Sequence, residues 1–218
     1  MREPNDTARR NQEGIYSSYL FGTAPKRVQV ILLDTRYHRD SLTLSKDGSI
    51  YLPDPDPTKT FLGPTQWEWL KRELEKPAEI RIIGSSIQVL SNQHCCEKWA
   101  NLPVERQRLL DLVAGVAFGT PVFISGDMHF GEISRLNDRR HPNPIYDITG
   151  SGMTHFDKEA ETLYVNPYRV QIYVGLNFGS IEIDWNSGMK LTFNLHDETG
   201  KVRRHEEVLV GQRTGRGD

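Results

Sequence analysis

The feature that most constrains this chain is a change of rhythm near residue 127. Before it, short apolar runs alternate with helical patterns. Residues 27–36 (RVQVILLDTR) are β-branched and aliphatic and close on charge, the pattern of a buried strand ending in Asp34 and Arg36. Trp67, Leu70 and Leu74 then repeat at helical spacing behind Pro64, with Lys71, Arg72, Glu73, Glu75 and Lys76 filling the other faces and Pro77 ending the run. Residues 79–84 (EIRIIG) read as a second strand. Pro103 opens a second helix with Leu109, Leu110 and Val113 on one side and Gly115 near its end. Residues 121–125 (PVFIS) form a third buried strand, broken by Gly126 and Asp127. Strand, helix, strand, helix, strand is an α/β order.

After residue 127 the helical spacing disappears. Segments 129–136, 145–149, 170–174, 178–185, 190–195 and 201–210 read as strands, with hairpin turns at 186–188 and 197–200. Residues 181–185 (IEIDW) alternate apolar and acidic side chains, which marks a sheet with one wet face. Between the first strand and the first helix, residues 41–62 lose all periodicity. Pro55 and Pro57 exclude a helix interior or central strand there, so this is a long surface loop.

A chain of 218 residues, 37% of them hydrophobic, is long enough for one domain or at most two small ones. Residues 1–13 are polar throughout and read as a frayed lead-in without an export signal; 14–210 carry the domain; 211–218 contain no apolar residue and read as a disordered tail. The Arg-Gly-Asp at 216–218 is a chance tripeptide in that tail. Lys plus Arg number 27 against 29 acids, a net charge of -2, which excludes a dominant nucleic-acid or membrane field. The longest clean apolar run is residues 30–33, and a membrane span needs roughly 18 or more. The chain is expected to be soluble. Its two cysteines, Cys95 and Cys96, are adjacent, which excludes a disulfide framework and a four-cysteine zinc site and does not fix a compartment.

Three segments can carry chemistry. Ser125-Gly126-Asp127-Met128-His129 follows a buried strand, where α/β sheets collect ligands. Asp127 and His129 pair a hard oxygen donor with an imidazole, which suits a metal ion; the alternative is a turn with an exposed acid and a satisfied histidine. Asp34-Thr35-Arg36 also stands at a strand end: Arg36 either grips a phosphate through its forked donors or pairs with Asp34 to brace the loop. The Gly-rich turn 149–155 (TGSGMTH) either delivers His155 to a site or leaves it on the surface. No G-x-S-x-G, H-E-x-x-H or phosphate-loop Lys is present. His94, His141 and His205 sit among polar residues and are expected to face solvent.

Six segments in order (VQVILLDTRYHRD, FLGPTQWEWLKREL, EKWANLPVERQRLLDLV, FISGDMHFGEISRL, DITGSGMTH and GLNFGSIEIDW) resemble the PhoD-like alkaline phosphatases of the metallophosphatase superfamily. The resemblance runs from about residue 14 to about 210. It implies an α/β/β/α sandwich and metal-dependent hydrolysis of a small-molecule phosphomonoester or phosphodiester by a metal-bound hydroxide. The ions implied are iron and/or calcium, with manganese or zinc as alternatives. Asp127 and His129 match the family's late Gly-Asp-x-His metal ligands, Asp34 and Arg36 its Asp-x-Arg strand, and His155 a histidine after the Ser/Gly turn; Arg36 and His155 are the substrate-binding candidates. The family's earlier ligand segments, of the Gly-Asp-x-x-Tyr and Trp-Asp-Asp-His-Asp types, have no match, so the resemblance is to the C-terminal half to two-thirds of such an enzyme. A two-metal hydrolase clamps both ions with about four to six ligands each. Asp127, His129, His155 and Asp34 together amount to half a site. The alternative is a non-catalytic remnant that acts as a binding or structural domain.

Overall fold

The structure, a computed structural model, describes residues 8–116, 119–186 and 188–211. Among the described residues, ten strands form two sheets. The first contains β1 (Ser17–Phe21), β2 (Val28–Leu32), β3 (Ile80–Gly84), β4 (Thr120–Ser125), β5 (Gly131–Leu136), β6 (Ile145–Gly150) and β7 (Arg169–Tyr173), in the order β1-β2-β3-β4-β6-β5-β7. Strands β2, β3, β4 and β6 run parallel, and β1, β5 and β7 are antiparallel to their neighbours. The second sheet contains β8 (Asn177–Asp184), β9 (Lys190–Asp197) and β10 (Val202–Leu209), in the order β10-β9-β8. Helices α1 (Gly63–Glu75) and α2 (Pro103–Ala114) connect the parallel strands, and the short α3 (Ala160–Leu163) follows β6.

One face of the large sheet is closed by the helices. Trp67, Leu70 and Leu74 of α1 and Leu109, Leu110 and Val113 of α2 pack on Ile31, Ile83, Phe123 and Ile145 of four strands. Trp99 and Phe61 fill the same core and are inaccessible to solvent. Burying each such side chain contributes about 1.5–3 kcal/mol. The long loop is tied to this core at its end: Glu105, in the first turn of α2, accepts from the amides of Phe61 and Leu62 and from Trp67 Nε1 at 2.6 Å. Elsewhere residues 41–62 form no strand or helix, and they hold to the body through single bonds such as Tyr51 N–H to Cys95 O at 2.9 Å.

On the opposite face the second sheet covers part of the first. Leu191, Phe193, Leu195 and Val208 meet Ile80, Val122, Ile133, Tyr146 and Ile148. Ile181 and Ile183 of β8, and Trp185 just after it, pack against this cluster while Glu182 is exposed, as the alternation predicts. The two backbones approach closely at Gly150 of β6: a Cβ there would lie 2.9 Å from the Gly179 amide nitrogen, so glycine is required for this contact. The described residues thus build α, β and β layers of the expected sandwich.

Several expectations change. Strand β1 follows the polar lead-in and was not legible in it. Part of that lead-in is ordered, as a 3-10 turn Ala8–Asn11, with Gln12 donating to Tyr16 O at 2.8 Å. Residues 1–7 and the proposed tail at 212–218, with its Arg-Gly-Asp, lie outside the described residues. His94 and His141 are buried rather than solvent-facing. The ring nitrogens of His141 lie 2.8 and 3.1 Å from the carbonyl oxygens of Asn143 and Gly119, so loop backbone takes the place of water. His94 Nδ1 accepts the Cys96 amide at 3.2 Å. Burial, helped by the charges of Lys98 and Arg169, lowers the His94 pKa to about 3 and keeps its ring neutral. His205 is exposed on β10 as expected.

Candidate functional site

The carboxyl ends of β2, β3, β4 and β6 point the same way, and the segments leaving them meet at one edge of the large sheet. This is where an open parallel sheet leaves a crevice. Asp34, Thr35 and Arg36 come from β2, Ser85 and Ser86 from β3, Gly126–His129 from β4, and residues 151–155 from β6.

The turn after β4 is the centre. Met128 and Phe130 are buried against Ala160, Tyr164 and Ile172, while the alternate residues Asp127 and His129 are exposed. Inward anchors thus alternate with outward functional groups. This alternation forces the backbone: Asp127 has φ 71° and His129 φ 58°, both left-handed. Such conformations cost about 1 kcal/mol or more for non-glycine residues and persist where surroundings hold them. Ser151 Oγ holds them here, accepting the amides of Met128 at 2.9 Å and His129 at 2.7 Å. The Asp157 amide closes the turn on His129 O at 3.0 Å.

Around this turn the other expected residues assemble. Arg36 Nη2 lies 3.9 Å from Asp127 Oδ2. The ring centroids of His129 and His155 are 3.9 Å apart, and His155 Nδ1 meets Thr154 Oγ1 at 3.0 Å. Arg36, Asp127, His129 and His155 therefore form one exposed row drawn from three segments. Arg36 is also held by Glu97, which binds Arg39 at 2.5 Å on its other oxygen. Burial pushes the Glu97 carboxyl up, but the bonds from Arg36 and Arg39 outweigh it and hold the group below the usual carboxylate range.

Asp34 stands apart from this row. Its Oδ1 accepts the amides of Arg36 and Tyr37, both at 2.9 Å, and its Oδ2 that of Ile15 at 2.9 Å. Burial raises its pKa, and these three backbone donors lower it further than burial raises it, leaving the carboxyl below its ordinary range. Gln66 of α1 grips the same residue, accepting the Asp34 amide and donating to its carbonyl, both at 2.8 Å. Asp34 thus shapes the loop that carries Arg36, and the Asp34–Arg36 side-chain brace considered from sequence is replaced by the Glu97 contact.

The site rests on polar groups that sequence reasoning missed. Ser125 Oγ donates to the buried Asp147 at 2.8 Å, whose other oxygen accepts the amides of Val89 and Leu90. Burial raises the Asp147 pKa. Glu132, also buried, binds Gln88, Asn166 and Arg169. Thr35 Oγ1 and Ser86 Oγ lie 2.5 Å apart and link β2 to β3. These pairs join residues 22–58 positions apart, so no local spacing announces them. Ser151 alone had a signal, its place in the Gly-Ser-Gly turn.

The donors do not close a metal centre. Among the described residues no group of three or more His, Cys, Asp or Glu is arranged to hold an ion. Asp127 and His129 offer two donors on one turn. Asp34 is spent on backbone amides and Glu97 on two guanidinium groups. A coordination sphere of four to six ligands needs more than this set provides.

A family model described as PhoD-like phosphatase matches residues 1–187. A solved structure described as "Structure of PhoD" is similar with a TM-score of 0.60 at 17% identity, over 92% of this chain and 45% of that chain. This chain therefore spans less than half the length of that protein, and the likeness establishes the shared fold. No curated protein matches this chain.

Proposed function

Because the chain belongs to the PhoD-like phosphatase family, we propose that its exposed row at the sheet edge is the phosphoester-handling part of a phosphoesterase. The observation that carries this reading is the convergence of Arg36, Asp127, His129 and His155, with Arg36 3.9 Å from Asp127 and the two imidazoles 3.9 Å apart. Arg36 has a planar donor fork suited to two phosphoryl oxygens, and Glu97 fixes its direction. Two imidazoles beside it offer hydrogen bonds to a phosphoryl or leaving oxygen. Asp127 and His129, held outward by a strained turn, are the pair placed to touch an ion or the substrate.

The metal dependence implied by the resemblance enters as a variable of the test, since two donors on one turn leave most of an ion's ligands to be found. The purified chain is assayed with nitrophenyl phosphate and bis(nitrophenyl) phosphate, with iron, calcium, manganese or zinc added in turn. Turnover above buffer that falls by two or more orders of magnitude in Asp127→Ala, and at least tenfold in Arg36→Ala, supports the reading. Turnover unchanged by Asp127→Ala refutes it. The incomplete donor set favours a second reading, a phosphoester-binding domain without turnover of its own. Phosphate binding weakened by Arg36→Ala, with no turnover under any metal, selects that reading.

A further inference from the structure

We propose that Cys95 and Cys96 are a reversible oxidation site, where a peroxide closes the adjacent thiols into a disulfide and loosens the clamp on Arg36. Their Sγ atoms already lie 3.7 Å apart. Both residues are half-buried, and any bridge within the 218 residues must join these two. Among the described residues no third His, Cys, Asp or Glu joins them in a metal-binding group, so the pair is a dithiol rather than an ion site. Adjacent cysteines cannot brace a fold. Neighbouring Cα atoms stand about 3.8 Å apart, short of the usual disulfide span of about 4.4–6.8 Å. A bridge here is strained and readily reduced again, the property of a regulatory bond.

The peptide group that joins the two cysteines is held on both sides. Its carbonyl, on Cys95, accepts the Tyr51 amide of the long loop at 2.9 Å. Its N–H, on Cys96, donates to Nδ1 of the buried His94 at 3.2 Å. Closing the ring draws the sulfurs from 3.7 Å to about 2.05 Å and turns this peptide away from both partners. Glu97 comes next in the chain and holds Arg36 and Arg39. Cys96 also packs on the cluster of Met128, Phe130 and Ala160, which includes the inward anchors of the turn that carries Asp127 and His129. One bond thus reaches the long loop, the arginine clamp and the central turn.

With hydrogen peroxide as the oxidant the chemistry balances. The Cys95 thiolate attacks one peroxide oxygen, the O–O bond breaks, and hydroxide leaves and takes up the Cys95 proton as water. Cys95 is then a sulfenic acid. Cys96 Sγ attacks Cys95 Sγ, the S–O bond breaks, and the departing hydroxide takes the Cys96 proton as a second water. The two thiols lose two electrons and the peroxide gains them. Burial sets the order of attack: it pushes the Cys96 thiol up to about 11 and keeps it protonated, so Cys95 meets the oxidant and Cys96 resolves the sulfenic acid. The consequence for phosphoester binding rests on the role proposed for Arg36, whereas the bridge does not.

The reduced whole chain is treated with equimolar hydrogen peroxide and then with dithiothreitol. Expected are a mass lower by two hydrogen atoms, a bridge within one peptide that carries both cysteines, at least tenfold faster exchange of the Tyr51 amide, and guanidinium NMR signals of Arg36 and Arg39 that move; dithiothreitol should reverse all four. Inorganic phosphate should bind the oxidised chain several-fold more weakly than the reduced one. Cys95→Ser should keep the far-ultraviolet circular dichroism and the phosphate binding of the reduced chain, form no bridge, and hold the Tyr51 amide under the same peroxide. A stable sulfinic acid without a bridge, a disulfide between two chains, or a bridge that leaves the Tyr51 amide and both guanidinium signals unchanged overturns the proposal. A reduced chain that binds no phosphate counts against the function proposed above, and the bridge, the Tyr51 amide and the guanidinium signals still decide this inference.

Discussion

The two faces of the seven-stranded sheet are built from the same strands and end in different states. On one, α1, α2 and the end of the long loop leave Ile31, Ile83 and Phe123 with no exposed surface. On the other, the second sheet covers Val122, Tyr146 and Ile148 but not Phe21 or Leu32. Alternating residues of one strand thus do separate work. The closed face supplies stability, and the open face leaves Phe21 and Leu32 exposed. The candidate site lies at the strand ends where the two meet, with Ser85 and Ser125 at the rim of an open groove.

Substitutions on each side sharpen this contrast. Phe123→Ala on the closed face should cost about 3–5 kcal/mol in a urea unfolding titration, since it leaves a cavity in a packed core. Gly150→Ala should cost about 1–3 kcal/mol, because its methyl meets the Gly179 backbone and must push β8 off the large sheet. Asp34→Asn should cost about 1–2 kcal/mol at neutral pH by weakening the charge-assisted acceptor of three amides. Its pH signature is diagnostic. The folded pKa of Asp34 is depressed, so its stabilisation is complete above the ordinary value of about 3.9 and is lost as pH falls through the lower folded value. Denaturation curves from pH 7 to pH 2 should therefore show a shallower acid limb in the variant. Leu32→Ala on the open face should shift stability by less than about 0.5 kcal/mol. A loss above 2 kcal/mol there would show that this face is already closed and would erase the comparison.

Much of the architecture was legible because its signals are local. The stripe of Trp67, Leu70 and Leu74, the prolines that open both helices and the aliphatic runs before Asp34, Gly84 and Gly126 state their structure within a few residues. The hairpins of the second sheet did the same. Strand β1 was missed because SSYLF is short and becomes a strand by pairing with β2. His94 and His141 were misread because polar neighbours suggest solvent, whereas carbonyls and amides brought in by the fold satisfy or enclose them. The expected strand start at 129 moved to Gly131 because left-handed residues interrupt the ladder. In the site, the outward groups Arg36, Asp127, His129 and His155 carried their chemistry in their residue types. The supports Glu97, Asp147 and Glu132 did not, since an acid in a loop or strand acquires its role from partners distant in sequence.

The turn that sets Met128 and Phe130 inward and Asp127 and His129 outward has an evolutionary consequence. The buried pair and Ser151 preserve the shape, so the exposed pair can drift without unravelling the domain, provided each replacement tolerates a left-handed backbone. Asparagine or glycine meets that condition and valine or isoleucine does not. Two residue changes can therefore remove the exposed acid and imidazole and leave the scaffold intact.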